Sequence, residues 1–127
     1  MGDPAGIGPE VIVKALAQPT VRRICQPIVV GTVSVMERAV KASRLALNVV
    51  PVAGPPWPKG GARDLVVLDP QDRPLGRFRV GLAAADTGAA SVAYIVKAVH
   101  LAEQGAVEAM VTAPINKEAM HLGGYRY

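Results

Sequence analysis

The chain begins with a segment in which glycine and proline leave the backbone few choices. Residues 1–10 read MGDPAGIGPE, and an apolar pattern with helical spacing follows at once. Glycine permits positive φ and close backbone approach, and proline is favoured in the first turn of a helix, where its missing N–H would be unpaired anyway. These residues therefore predict a tight loop over Gly2–Gly8 that leads into a helix over Pro9–Ala17.

The predicted loop has the features of an anion site. The N–H groups at a helix N-terminus are unpaired and carry the positive end of the helix dipole. Asp3 and Glu10 flank the loop and could contact a hydroxyl, an amine or a metal. The spacing G-x-x-x-G-x-G matches neither the P-loop nor the dinucleotide fingerprint. A tight loop-to-helix connection without a ligand therefore stays open as the alternative.

Composition restricts the class of protein. With 127 residues, half of them apolar and 19% charged, the chain can bury the core of one globular domain. The single cysteine, Cys25, excludes an internal disulfide framework and is expected to be a small buried apolar residue. No apolar run reaches the roughly 18 residues of a membrane helix, and no signal peptide is visible. We therefore expect a soluble cytoplasmic protein with no membrane partner.

The chain is basic, with a net charge of +4. This favours anionic partners, but the basic residues are scattered and no basic stripe is interleaved with aromatic residues. A solvated basic surface is the simpler interpretation, so we expect no nucleic-acid partner. Binding of a nucleotide or RNA remains a weaker alternative.

Strand and helix patterns alternate along the chain. Short β-branched runs predict strands, and the segments between several of them have helical spacing. This alternation predicts an α/β fold with an open, mostly parallel sheet and flanking helices. Strands are expected over 27–31, 47–52, 65–69 and 108–112, with a further short strand over 78–80; helices are expected after Thr32, from Asp86 to Gly105 with Val92, Ile95, Val96 and Val99 on one face, and from Lys117 to Leu122.

A second stretch with the features of a site reads TAPINK over residues 112–117. Ligands of open α/β sheets bind beyond the carboxyl ends of the strands, and Thr112 ends a predicted strand. Asn116 is expected to cap the next helix and Lys117 to stand in its first turn. The helix dipole disfavours a lysine there, which indicates either a nearby anion such as phosphate or simply an exposed lysine.

The sequence shows no pattern typical of a metal site or of nucleophilic catalysis. The two histidines, His100 and His121, are not spaced as a ligand pair, and no nucleophile is paired with a base. The residues alone therefore indicate a small-anion-binding α/β domain.

Three stretches together resemble a known family. They read MGDPAGIGPEVIVKAL over residues 1–16, TGAASVAYIV over 87–96 and AMVTAPINKEAM over 109–120. In this order they resemble signatures of the 4-hydroxythreonine-4-phosphate dehydrogenases of vitamin B6 synthesis. The resemblance implies a lobe like the first lobe of isocitrate and isopropylmalate dehydrogenases. In such enzymes two α/β lobes enclose the active site and the chains form homodimers.

The family's chains are considerably longer. The resemblance therefore implies that residues 1–127 form a single α/β lobe, itself incomplete, from the N-terminal part of a two-lobe enzyme. The strand that precedes the Gly-Asp-Pro motif and the Pro-Gly-His-Thr motif that follows a Gly-Tyr pair, here Gly124-Tyr125, are expected outside this chain.

The resemblance also implies an activity. The family's enzymes use NAD and a divalent metal (Zn²⁺, Mg²⁺ or Co²⁺) to oxidise and decarboxylate 4-phosphooxy-L-threonine, a small phosphorylated hydroxy amino acid, in pyridoxal phosphate biosynthesis. Because the metal ligands and most NAD-binding residues are expected outside this chain, we expect residues 1–127 alone to be inactive. No catalytic residue is assigned. By their place in the motifs, the substrate-binding residues are expected to be Asp3, Gly6, Gly8, Thr112, Asn116 and Lys117.

The motifs leave two matters open. Other branches of the family oxidise related phosphorylated hydroxy acids, so the motifs do not fix the substrate. A non-catalytic module that binds small anions or another protein is the competing hypothesis.

Overall fold

The computed structural model describes residues 1–71 and 74–126. Helices and strands are mixed along the chain, as expected of an α/β fold, but they do not strictly alternate. The helices are α1 (Gly8–Leu16), α2 (Pro19–Ile24), α3 (Val33–Ser43), α4 (Ala85–Glu103) and α5 (Lys117–Leu122), and the strands are β1 (Ile28–Val30), β2 (Asn48–Val52) and β3 (Asp64–Leu68).

The strands form one open parallel sheet in the order β1-β3-β2. Val29 of β1 lies opposite Val67 of β3, and Val50 of β2 lies opposite Val66 of β3. The predicted open parallel sheet with flanking helices is confirmed. The two strands joined by α3 are not neighbours, because β3 lies between them. As the central strand, β3 is buried over residues 65–68, which explains its unbroken apolar sequence.

Two apolar cores cover opposite faces of the sheet. Successive side chains of a strand point to opposite faces, so Val29 and Val30 of β1 enter different cores. The first core joins the sheet to α1 and α3 through Val13, Val29, Met36, Leu65 and Val67. The second joins it to α4 through Val30, Leu68, Ala90, Tyr94 and Leu101. The site therefore rests on a sheet that is packed on both sides.

The glycine-rich loop and the helix after it are confirmed. α1 begins at Gly8 with Pro9 in its first turn, and it ends at Leu16, one residue before the predicted end at Ala17. The short helix α2 was not predicted. Pro19 stands in its first turn, where the missing N–H of proline is tolerated.

Two of the predicted strands are wrong. Neither residues 108–112 nor residues 78–80 form a strand. Within the described ranges, only β1, β3 and β2 pair with one another, so the apolar run at 108–112 has no neighbour to accept its backbone hydrogen bonds. Its Val111 side chain is 95% exposed as a result.

The burial predicted for Cys25 is wrong. The residue follows α2, a helix with no buried residue, and its thiol is free and exposed. A short helix that contributes nothing to either core leaves the residue that follows it in solvent, whatever the preference of cysteine for the interior.

The face predicted for α4 is only partly right. Val92 is buried, but Val96 and Val99 are exposed, and the helix contributes Tyr94 and Leu101 to the core instead. The predicted helix is confirmed, but the predicted apolar face is not the side of the helix that meets the sheet. Gly105, at a φ of 67°, follows the end of this helix as predicted.

The described part of the chain has no helix with the combination of length and apolarity that a bilayer crossing requires.

Candidate functional site

The glycine-rich loop is fixed by its own hydrogen bonds. The buried carboxylate of Asp3 accepts from the backbone N–H of Ala5 through Oδ1 at 2.8 Å, and the Asp3 carbonyl accepts from the N–H of Gly6 at 3.0 Å. Aspartate commonly closes a turn in this way. Beside this turn, Gly2 has a φ of 76°, which L side chains rarely adopt. The loop therefore presents a defined backbone surface.

The two predicted site stretches meet in space. The N–H of Asp3 donates to the carbonyl of Pro114 at 3.1 Å. A side chain at Gly2 would overlap this carbonyl, and a Cβ at Gly8 would come within 3.2 Å of the Ala113 Cβ. These glycines are thus needed for the close approach of residues 113–114.

The helix after the second stretch begins as predicted. Asn116 caps α5, since its Oδ1 accepts from the N–H of Ala119 at 3.1 Å, and Lys117 stands in the first turn. α5 packs on α4. At this contact Gly88 of α4 has no room for a Cβ, because the carbonyl of Ala119 occupies that space. Close helix packing therefore determines where Asn116 and Lys117 lie.

A turn between β3 and α4 completes the site. The N–H of Gly81 donates to the carbonyl of Ala5 at 2.8 Å and brings the turn beside the loop. The loop, the turn and the second stretch line an open cleft of about 430 Å³. Its lining residues are Asp3, Ala5, Gly6, Ile7, Gly81, Leu82, Pro114, Ile115, Asn116 and Lys117.

Not all residues expected to bind substrate line this cleft. Asp3, Gly6, Asn116 and Lys117 do. Gly8 is buried at the start of α1, and Thr112 is exposed outside the cleft. The structure thus brings most of the expected residues together, and their roles in binding stay predictions.

The cleft carries two separated charges of opposite sign. Within residues 1–71 and 74–126 the sole ion pair joins Lys14 to Glu10 on α1. Asp3 and Lys117 therefore both lie without an ion-pair partner in the described structure. A ligand with a hydrogen-bond donor at one end and an anionic group at the other would match this pair.

Sequence reasoning missed a polar group behind the loop. Thr32, directly after β1, shares a buried hydrogen bond of 2.8 Å with the hydroxyl of Tyr94 on α4. Burial raises the pKa of Tyr94 to about 12, although the Thr32 bond favours ionisation; the charges of Asp69 and Asp3 add to the rise. The position of Asp69, directly after β3, could have pointed to a polar group at this edge of the sheet. Tyr94 lies inside a helical pattern, and nothing in that pattern indicates a buried hydrogen bond.

Asp69 also connects β3 to α3. Its Oδ2 accepts from the N–H of Val33 in the first turn of α3 at 3.2 Å, and its Oδ1 accepts from the N–H of Gln71 at 3.0 Å. A carboxylate at a helix N-terminus is stabilised by the dipole. This accounts for Asp69 as a structural residue at the carboxyl edge of the sheet.

The described residues of this chain do not fit a metal centre by themselves. Across the parts of the chain that the structure describes, no three side chains of histidine, cysteine, aspartate or glutamate are grouped so as to hold an ion. The expectation that the metal ligands lie outside this chain stays a prediction.

Comparison with known proteins gives a consistent result. Residues 23–127 match the family described as "Pyridoxal phosphate biosynthetic protein PdxA". A protein of Symbiobacterium thermophilum, provisionally named a D-threonate 4-phosphate dehydrogenase, is 45% identical over 122 residues, which cover 94% of this chain and 36% of that protein. The 4-hydroxythreonine-4-phosphate dehydrogenase of Desulforapulum autotrophicum is 40% identical over 129 residues, which cover 100% of this chain and 37% of that protein.

A solved structure agrees with the sequence relatives. The crystal structure of a 4-hydroxythreonine-4-phosphate dehydrogenase from Burkholderia phymatum superimposes with a TM-score of 0.93 at 35% identity, over 100% of this chain and 38% of that one. The chain thus spans just over a third of the length of the relatives it matches. On the matched residues and this shared fold, the chain belongs to the PdxA family.

Proposed function

We propose that this chain forms one wall of the active site of a PdxA-family dehydrogenase and that its cleft binds a phosphorylated threonine derivative. The observation that carries the proposal is the meeting of two stretches, distant in sequence, at one cleft with separated charges. Residues 1–127 would then be one α/β lobe of a longer two-lobe enzyme.

The side chains support distinct roles in binding. Lys117, exposed at the start of α5, would attract the phosphate. Asn116 accepts the cap hydrogen bond through its Oδ1, and within the described residues its amide N–H₂ makes no hydrogen bond and could donate to a ligand oxygen. The Oδ1 of Asp3 accepts a hydrogen bond from the N–H of Ala5, and its Oδ2 makes no hydrogen bond within the described ranges. This second oxygen would accept from a hydroxyl or an amine of the substrate.

Two substrates fit this arrangement. The first is 4-phosphooxy-L-threonine, the substrate implied by the sequence motifs. The second is D-threonate 4-phosphate, favoured by the 45% identity to a relative named for that compound. The two differ mainly in carrying an amine or a hydroxyl at C2, and a carboxylate such as Asp3 accepts a hydrogen bond from either group.

The proposed reaction is oxidation of the substrate's hydroxyl carbon, followed by decarboxylation. NAD would accept the hydride and a divalent metal would polarise the substrate oxygen. Because the described residues do not form a metal centre, we assign this chain binding and orientation of the substrate. The complete enzyme would act as a cytoplasmic homodimer.

The test begins with the coding DNA on both sides of this chain. If the reading frame continues, the longer protein should produce NADH from NAD, metal and one of the two substrates. The 127-residue chain alone should produce none under the same conditions. NADH production by the chain alone, or none by the longer protein with either substrate, would contradict the proposal.

A substitution tests the role of the cleft. In the longer protein, Lys117→Ala should raise KM about 10- to 100-fold, the usual effect of losing a hydrogen bond from a charged group. The matched control is Lys41→Ala, which removes an exposed lysine from the last turn of α3, outside the cleft. Equal KM values for the two variants would show that Lys117 does not bind the substrate.

A further inference from the structure

A second cleft, shallow and open to solvent, has a volume of about 310 Å³ and adjoins the first. It is lined by Arg77, Phe78, Arg79, Leu82, Ala83 and Ala84, and Leu82 lines both clefts. None of its residues was expected to bind a ligand. The two clefts thus share a wall, the turn that precedes α4.

This wall is held in place at two points. The N–H of Gly81 donates to Ala5 in the glycine-rich loop, and the N–H of Leu82 donates to the carbonyl of Arg79 at 3.2 Å within the turn. On the other side, the guanidinium of Arg38 on α3 lies 4.9 Å from the centre of the Phe78 ring, a favourable cation–π distance. The residues between these contacts are therefore positioned by both α3 and the loop.

The second cleft is basic. Arg77 and Arg79 are exposed, no acidic residue is among the lining residues, and neither arginine forms an ion pair within residues 1–71 and 74–126. Guanidinium groups bind phosphoryl oxygens in a planar, two-pronged manner, which makes arginine well suited to phosphate recognition. Two arginines flanking one ring thus form a local concentration of phosphate-binding groups.

We propose that Arg77 and Arg79 form a second anion subsite, beside the cleft of Asp3 and Lys117, that binds a phosphoryl group. The ligand class is a phosphate or diphosphate ester. Because both arginines line one cleft, the subsite should prefer the more highly charged diphosphate. The inference does not depend on the substrate proposed above, since the two subsites share only Leu82.

The experiment is a calorimetric titration of the longer protein with pyrophosphate and, separately, with inorganic phosphate at constant ionic strength. Replacing both arginines (Arg77→Ala with Arg79→Ala) should weaken pyrophosphate binding by about tenfold or more, as expected for lost charged hydrogen bonds. The matched control removes the same charge at two exposed arginines outside both clefts, Arg23→Ala with Arg63→Ala, and should bind as the wild type does.

The outcomes separate the subsite from its alternatives. Equal weakening in the control variant would indicate attraction by net charge. Weakening by Lys117→Ala alone would place the anion in the first cleft. Either result would overturn the proposal, and so would the absence of pyrophosphate binding by the wild type. If the alanine variant does not fold, Arg77→Lys with Arg79→Lys retains the charge and should still lose affinity, because lysine lacks the planar fork. Tighter binding of phosphate than of pyrophosphate would contradict the preference for a diphosphate.

Discussion

The glycine-rich loop and the segment over residues 106–116 face the same cleft but are built differently. The loop is largely buried and closes on itself through Asp3, Ala5 and Gly6. The second segment has no regular structure, and Val111 within it is almost fully exposed. The difference shows that a turn can be fixed by hydrogen bonds and glycine conformations within a few residues. A strand-like sequence forms a strand only when another strand pairs with it.

The largest predicted effect concerns how the second segment is held. Gly88→Ala should place a Cβ on the carbonyl of Ala119 and push α5 away from α4. We expect a loss of about 3 kcal/mol in the free energy of unfolding, typical of overpacking against rigid backbone. Urea denaturation measures it. Gly60→Ala, which meets only ordinary contacts, is the control, and equal losses would mean that the α4–α5 contact is not tight.

The next effect concerns the contact between the two regions. Gly2→Ala combines strain at positive φ with overlap on the Pro114 carbonyl, and should cost about 2 kcal/mol of unfolding free energy. Gly105→Ala isolates the strain, since its φ is 67° and nothing lies near its Cβ position. Thermal unfolding of both variants separates the two terms. If Gly105→Ala lowers the free energy of unfolding as much as Gly2→Ala does, the close approach of the two regions contributes nothing to the loss.

The polar group behind the loop should have a smaller effect. Tyr94→Phe removes one partner of the buried bond to Thr32, and should cost about 1–2 kcal/mol in unfolding free energy. Val96→Ala, at an exposed position of the same helix, is the control and should cost little. A neutral Tyr94→Phe variant would mean that the Thr32 hydroxyl finds another partner.

Alkaline pH tests the same bond in a second way. The pKa of Tyr94 is raised to about 12, whereas a tyrosine of the unfolded chain ionises near 10. The unfolded chain therefore loses this proton first, so the stabilisation is fully present below about pH 10 and is lost as the pH rises toward 12. Urea midpoints across this range should fall less steeply in Tyr94→Phe. Identical slopes would contradict the raised pKa.

The smallest effect concerns the cap of the second region. Asn116→Ala should cost about 1 kcal/mol through the loss of the hydrogen bond to the N–H of Ala119. Asn116→Asp retains the acceptor and is the matched control. Protection of the α5 amides from hydrogen exchange would report the local loss, and equal protection in both variants would rule out a stabilising cap.

Sequence patterns predicted the parts of the fold that depend on neighbouring residues. The turn at Gly2–Gly8, the cap at Asn116 and the end of α4 at Gly105 each follow from the geometry of a few consecutive residues. The three paired strands were also expected, because short β-branched runs between helices favour a parallel sheet. Of the six residues named from the motifs, Asp3, Gly6, Asn116 and Lys117 line the cleft, whereas Gly8 and Thr112 do not, and the binding roles of all six stay predictions.

Other features depended on contacts between distant residues. The strand predicted at 108–112 lacks a neighbour, and Cys25 is exposed because α2 enters neither core. Tyr94 is buried because α4 turns that side toward β1, and this orientation depends on the sheet rather than on the helical period. No pattern within α4 could have linked Tyr94 to Thr32.

By itself, the sequence determined the class of fold, the resemblance to a family and the two stretches that form the cleft, because turn geometry, caps and apolar period are local properties. Only the tertiary structure decided the order β1-β3-β2, the meeting of Asp3 with Pro114 and the second cleft at Arg77 and Arg79. These depend on which surfaces are buried against one another. That choice is made by the packing of the whole domain, which no single segment contains.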